Sequence, residues 1–171
     1  MSDDAETVWE GKYLAVRKRG TWEYVSRTRS ISAAVILAID EGDVILVEQY
    51  RVPLGRNCLE LPAGLIGDEE EGEAVETAAI RELEEETGYR AARVEALGYF
   101  YSSPGMVSEG FTLLRAESLT RTGDGGGTEE EAIRVHRVPL ADLPAFVAAK
   151  RAEGCAIDVR MLLLLAEDLV A

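Results

Sequence analysis

Short β-branched, apolar stretches dominate the first two thirds of the chain and amphipathic stretches the rest. Ile31 to Ile39 and Val44 to Tyr50 flank Asp40-Glu41-Gly42-Asp43, the pattern of a β-hairpin. Tyr13 to Arg27 mixes apolar and polar positions around Gly20, as two short strands joined by a turn would. Leu59-Glu60-Leu61 predicts a strand ended by Pro62, and Gly64 to Gly72 an acidic loop. Glu73 to Thr87 contains no Gly or Pro. Its Val75, Ala79, Ile80 and Leu83 recur at helical spacing before Gly88, a C-terminal stop. Val94 to Tyr101, Phe111 to Ala116 and Ala132 to Val138 predict strands, with a flexible, glycine-rich turn over Arg121 to Thr128. Asp142 to Ala152 and Val159 to Val170 predict helices, the first with Pro144 near its start and Gly154 past its end, the second capped by Asp158. Strands, a helix, more strands and terminal helices imply an α+β fold, a mixed sheet covered by helices.

At 171 residues and 47% hydrophobic content the chain fits one compact domain. The expected division is an N-terminal strand extension, residues 1–30, and a main domain, residues 31–171. No run of 18 apolar residues appears and the N-terminus lacks a signal-peptide profile, so a cytoplasmic protein without a membrane partner is expected. Cys58 and Cys155 are far apart and read as reduced thiols. A net charge of -14 repels nucleic-acid backbones, which excludes DNA or RNA as an expected partner. The acid is clustered in Glu69–Glu71, Glu84–Glu86 and Glu129–Glu131, and crowded carboxylates invite a divalent cation.

On a helix, Glu82, Glu85 and Glu86 fall at i, i+3 and i+4 and share a face, with Arg81 one turn before Glu85. Such a face suits Mg2+ or Mn2+, although a solvated Glu-rich surface helix would look the same. The wider pattern separates the two. Gly67, Glu73 and Arg81-Glu82-Leu83-Glu84-Glu85-Glu86-Thr87-Gly88 resemble the Nudix box, G-x5-E-x7-R-E-U-x-E-E-x-G-U with U aliphatic, at every fixed spacing except for Tyr89 at the last U. The resemblance implies the Nudix fold, a mixed β-sheet sandwiched between helices (α/β/α), here with an N-terminal β-hairpin extension. It also implies that Glu82 and Glu86 ligate metal, that Glu85 is a further ligand or a supporting catalytic carboxylate, and that Glu73 and Arg81 brace the helix. Pro62-Ala63-Gly64-Leu65 is similar to the family's P-A-G-[LM] segment, whose Gly opens the box, yet Gly64 stands nine residues before Glu73 rather than six. Either glycine could be the structural one, and the Ala63 carbonyl is the expected metal ligand in both cases.

Ser103-Pro104-Gly105-Met106-Val107-Ser108-Glu109 resembles the S-P-G-x-x-S-E loop of ADP-ribose pyrophosphatases, which implies that Glu109 is a general base or completes the metal shell. Gly11-Lys12-Tyr13 and Thr21-Trp22-Glu23-Tyr24-Val25-Ser26-Arg27 are similar to the N-terminal segment of ADP-sugar pyrophosphatases. That likeness implies that Tyr13 and Trp22 sandwich adenine, that Glu23 contacts it, and that Arg27 and Arg51 grip phosphates; it also implies a homodimer with exchanged N-terminal strands. Trp22 could instead pack on the sheet and Arg27 form a surface ion pair. Leu65 and Met106 are expected to line the pocket, and Gly64, Glu73, Gly88 and Pro104 to shape it. Ile157-Asp158-Val159-Arg160 extends the likeness toward the C-terminus. The expected activity is Mg2+-dependent hydrolysis of a nucleoside diphosphate sugar, ADP-ribose to AMP and ribose 5-phosphate. The alternatives are another nucleotide sugar or dinucleotide, such as GDP-mannose or ADP-glucose, and a non-catalytic ADP-ribose sensor. His136, in a predicted strand, is expected to be a sheet or surface residue.

Overall fold

The computed structural model describes residues 5–28, 32–66, 73–128 and 132–170. Gly67 and the acidic runs Glu69–Glu71 and Glu129–Glu131 lie outside them. Three strands, β1 (Glu6–Glu10), β2 (Leu14–Arg19) and β3 (Trp22–Arg27), form an antiparallel sheet of their own. The predicted hairpin is β2–β3; β1, whose polar Glu6-Thr7 start hides its strand character, pairs with the outer edge of β2.

The second sheet has eight strands among the described residues, in the order β11-β6-β5-β4-β9-β8, with β10 added to β5 and β7 to β4. Its members are β4 (Ser32–Asp40), β5 (Asp43–Arg51), β6 (Arg56–Glu60), β7 (Ala63–Ile66), β8 (Tyr89–Tyr101), β9 (Gly110–Arg121), β10 (Arg134–Pro139) and β11 (Ala156–Ile157). The sheet is mixed because β4–β9 and β11–β6 run parallel and the other pairs antiparallel. Along β4 the side chains alternate between two cores. Ala34, Ile36 and Ala38 pack with Ala78, Ala79 and Leu83 of α1 (Val75–Thr87). Val35 joins Leu143, Val147, Met161 and Leu165 from α2 (Leu143–Ala152), α3 (Leu162–Val170) and the turn before α3. This period of two on a central strand puts α1 over one face and α2 and α3 over the other, the expected α/β/α layering.

Three local expectations need correction. Gly64 to Ile66, expected to open the loop, are strand instead: β7 pairs with the start of β4, and the Pro62 carbonyl accepts from Ile36 N at 2.8 Å. Helix α1 begins at Val75, because Ala74 has an extended ψ of 138°, which leaves Glu73 free to fold back along the helix. Residues 122–127 serve α1 directly: Gly126 N donates to Glu86 O at 2.8 Å, Gly127 N to Glu85 O at 3.0 Å and Thr122 N to Gly88 O at 2.7 Å. The last carbonyls of a helix have no partner within it, and this glycine run supplies them.

Strands β4 and β5 pair only beside their turn, through Ile39–Val44 and Asp40–Asp43, and then part. A cavity opens between their far ends.

Candidate active site

A polar cavity of about 480 Å3 is lined by Ala33 at the start of β4, Gln49 and Arg51 at the end of β5, Ala63, Gly64 and Leu65 of β7, Glu82 and Glu86 of α1, Arg27, Glu109 and Arg160. Glu82 and Glu86 are one helical turn apart on the face of α1 that meets β7. Glu86 is buried, and the Ala63 amide donates to its Oε2 at 3.0 Å. Glu82 lies against Gly64 so closely that a Cβ there would stand 2.1 Å from Glu82 Cδ. Gly64, not a residue with a side chain, is what lets this carboxylate cross β7 into the cavity. Arg81 donates from Nη2 to Glu73 at 3.3 Å and from Nη1 to Glu82 at 3.1 Å, so the bracing expected of Glu73 and Arg81 has a visible geometry.

Glu85 stands apart from that pair. Its side chain is 54% exposed, it contacts Arg81 Nη1 at 3.5 Å, and it lines a different hollow with Thr77, Ile80 and Arg90. The expectation that three carboxylates point one way holds for two, because an i+3 step turns Glu85 toward the exposed flank. Among the described residues no group of three His, Cys, Asp or Glu side chains comes together as a metal cluster. The donors at the cavity are carboxylate and backbone oxygens, and the Gly64 cradle leaves Glu82 reaching into it. An all-oxygen set short of a full shell fits a hard divalent cation, which keeps waters and binds substrate phosphates as remaining ligands.

Glu109 reaches the cavity from the loop between β8 and β9. Val25 N donates to Met106 O and Ser108 N to Val25 O, each at 2.9 Å, which docks that loop on β3. At the end of β3, Arg27 Nε donates to Glu109 Oε1 at 2.6 Å. A second hollow, lined by Ser26, Arg27, Ser108 and Glu109 among others, shares Arg27 and Glu109 with the carboxylate cavity. A third, of about 610 Å3, shares Ser26 and Ser108 with the second and is lined by Trp22, Tyr24, Arg17, Arg19, Pro104 and Gly105. Trp22, 64% exposed, thus lines a hollow that shares residues with the second but none with the carboxylate cavity.

Tyr13, Glu23 and Met106 line none of these hollows. Tyr13 is exposed under Lys12 Nζ, and Glu23 alternates with Trp22 and Tyr24 onto the other face of β3. Met106 contributes its backbone rather than its side chain. Arg51 donates from Nε and Nη2 to Glu60 at 2.6 and 2.7 Å. Sequence reasoning assigned no site role to Glu60 or Arg160; the available signal was a carboxylate inside the apolar run Cys58-Leu59-Glu60-Leu61. Away from the cavity, His136 Nε2 meets Glu48 Oε2 at 2.9 Å, and Lys150 and Asn57 also bond Glu48. Burial pushes the Glu48 carboxyl up, but hydrogen bonds from Asn57, His136 and Lys150 outweigh it and hold the group at about 2. Both cysteines are free, and burial pushes the Cys58 thiol up to about 12.

The NUDIX domain family model matches residues 28–156, and the chain belongs to that family. ADP-ribose pyrophosphatase of Bacillus subtilis (strain 168) is 39% identical over 120 residues, 70% of this chain; the chain spans 63% of that relative, a little under two thirds. GDP-mannose pyrophosphatase of Cronobacter sakazakii is 35% identical over 167 residues, covering 90% of this chain and 82% of the relative. The crystal structure of an ADP compounds hydrolase is similar with a TM-score of 0.69 and 26% identity, over 97% of this chain and 91% of that one. No helix among the described residues is long and apolar enough to cross a membrane.

Proposed function

We propose that this chain is a Nudix pyrophosphohydrolase that splits the diphosphate of a nucleoside diphosphate sugar with Mg2+, taking ADP-ribose to AMP and ribose 5-phosphate. The observation that carries the reading is the cavity itself: Glu82 and Glu86 share it with Arg27, Arg51 and Arg160. Carboxylates for a cation and guanidinium groups for phosphoryl oxygens are the two requirements of a bound diphosphate. The hollow under Trp22 supports a nucleoside moiety in the substrate, since a base stacks on an aromatic face for about 1 to 3 kcal/mol. The names of the Bacillus subtilis relative and of the similar crystal structure favour adenine, and that of the Cronobacter sakazakii relative makes a guanine sugar the second reading.

In this reading Glu82, Glu86 and the Ala63 carbonyl hold Mg2+, or Mn2+ in its place. When bound, the cation supplies charge neutralisation at the phosphoryl oxygens and a more acidic attacking water. Arg51 binds a phosphoryl group and limits its rotation, so that water attacks phosphorus in line with the departing bridging oxygen. Glu109 accepts the proton of that water. Arg27 orients Glu109 and, with its remaining donors, the substrate. Glu73 and Arg81 keep Glu82 in its rotamer. Work as a cytoplasmic homodimer, with residues 1–30 as the exchanged extension and 31–171 as the catalytic domain, belongs to the same proposal.

Initial rates across ADP-ribose, ADP-glucose, GDP-mannose and dinucleoside polyphosphates, with Mg2+ or Mn2+ and product identification, test it. Release of AMP and ribose 5-phosphate at the highest kcat/KM is expected, and a clear preference for GDP-mannose would replace adenine by guanine. Glu82→Gln should lower Mg2+-dependent turnover by more than about tenfold, since a tenfold change is only about 1.4 kcal/mol of barrier. A smaller loss would remove Glu82 from the metal site.

A further inference from the structure

Two arginines more than a hundred residues apart in the chain share one buried carboxylate beside the Glu82–Glu86 pair. Strand β11 pairs with β6 in parallel, and Asp158 N donates to Leu59 O at 3.0 Å, which sets the turn after β11 against the end of β6. Glu60, only 2% exposed, therefore meets both chain segments. Arg51 takes both of its oxygens, and Arg160 Nη2 also donates to Oε2, at 3.2 Å. Asp158 holds the rest of Arg160, accepting from Nε at 2.6 Å and Nη2 at 2.8 Å. Burial pushes the Asp158 carboxyl up, but Arg160 outweighs it and keeps the group ionised.

Each guanidinium spends its Nε and Nη2 on these carboxylates, and among the described residues Nη1 of each stays outside the ion pairs. Because one oxygen receives both Nη2 atoms, the two cations are held as neighbours in spite of their repulsion. Both residues line the cavity that contains Glu82 and Glu86. A guanidinium already locked in place loses little rotamer freedom when it binds an anion, and two locked side by side present donors to two phosphoryl oxygens at once.

We propose that Arg160 grips the diphosphate together with Arg51, and that Glu60 and Asp158 are positioning residues that fix this arginine pair. The inference rests on the nucleotide-sugar reading for its substrate, but the pair recognises any diphosphate, so inorganic pyrophosphate can probe it without a nucleoside.

The test is calorimetric binding of pyrophosphate in the presence of a chelator, which reads the arginines rather than a cation, alongside steady-state hydrolysis of ADP-ribose with Mg2+. Wild type should bind pyrophosphate. Arg160→Met should weaken that binding at least tenfold, with Arg160→Lys between the two, and should raise KM for ADP-ribose by a similar factor while kcat stays within about threefold. Glu60→Gln should weaken binding comparably, and the Glu60→Gln/Arg160→Met double variant should be little worse than the weaker single variant, because both break one unit. Should Glu60→Gln fail to fold, the Arg160 variants, which leave the Arg51–Glu60 pair bonded, carry the test. Wild-type pyrophosphate affinity in Arg160→Met, or no binding by wild type, overturns the clamp. Wild type that binds pyrophosphate through Arg160 but hydrolyses no nucleotide sugar overturns the substrate reading and leaves the clamp standing.

Discussion

Arg27 donates to Glu109 at 2.6 Å across 82 residues of chain, joining the N-terminal sheet to the loop that carries the proposed base. Both side chains are partly exposed, at 25% and 33%, so the pair adds little to stability, about 0 to 1 kcal/mol. Its value lies in where it holds the carboxylate. Arg27→Ala should therefore leave the melting temperature within a few degrees of wild type while kcat/KM for ADP-ribose drops by at least about tenfold, roughly 1.4 kcal/mol. A large fall in melting temperature with unchanged kcat/KM would reverse that assignment.

Gly64 is a glycine because Glu82 occupies the space a side chain would need. In Gly64→Ala either β7 or the Glu82 rotamer must shift, and a displacement of about 1 Å at such a site can cost about a hundredfold in rate. Mg2+-dependent turnover should fall by that order with the circular dichroism spectrum unchanged. Near-normal turnover would show that Glu82 need not cross β7.

The glycine run over 122–127 closes the end of the carboxylate helix. Gly125 has a φ of +67°, and a Cβ there would meet the Thr87 carbonyl carbon at 2.3 Å. Gly125→Ala should cost at least about 1 to 3 kcal/mol in urea unfolding, from left-handed strain alone. Amide exchange over 84–88 should quicken with it, and an unaffected helix end would disconnect the run from α1.

Glu48 contributes to stability with a defined sign. Its folded-state carboxyl, at about 2, lies below the ordinary value of 4.5, so the unfolded chain binds the proton more readily between those limits. The contribution is complete above pH 4.5 and is lost as pH falls toward 2. Unfolding free energy measured at pH 5 and pH 3 should drop more for wild type than for Glu48→Gln; equal drops would mean that Glu48 is not ionised in this cluster.

Much of the architecture was legible beforehand because its signals are local. The β4–β5 hairpin follows from two β-branched runs around Asp40-Glu41-Gly42-Asp43, and α1 from Leu, Ala and Glu spacing ended by Gly88. Strand β1 and the extra lengths of β8 and β9 were missed, since their polar and mixed stretches become strands only through pairing with a neighbour. Gly64 to Ile66 likewise read as loop until β4 supplied a partner.

The sequence by itself determined the family, the two carboxylates at i and i+4 and the β-rich order of elements, since each depends on residue type and spacing within a few turns of chain. Only the tertiary structure decided that Glu85 leaves the cavity, that Glu23 turns from Trp22, and that Glu60 and Asp158 hold Arg160 beside Arg51. Those outcomes depend on which strands lie next to one another, and strand adjacency is set by burial of the whole sheet between two helical layers rather than by any short stretch of residues.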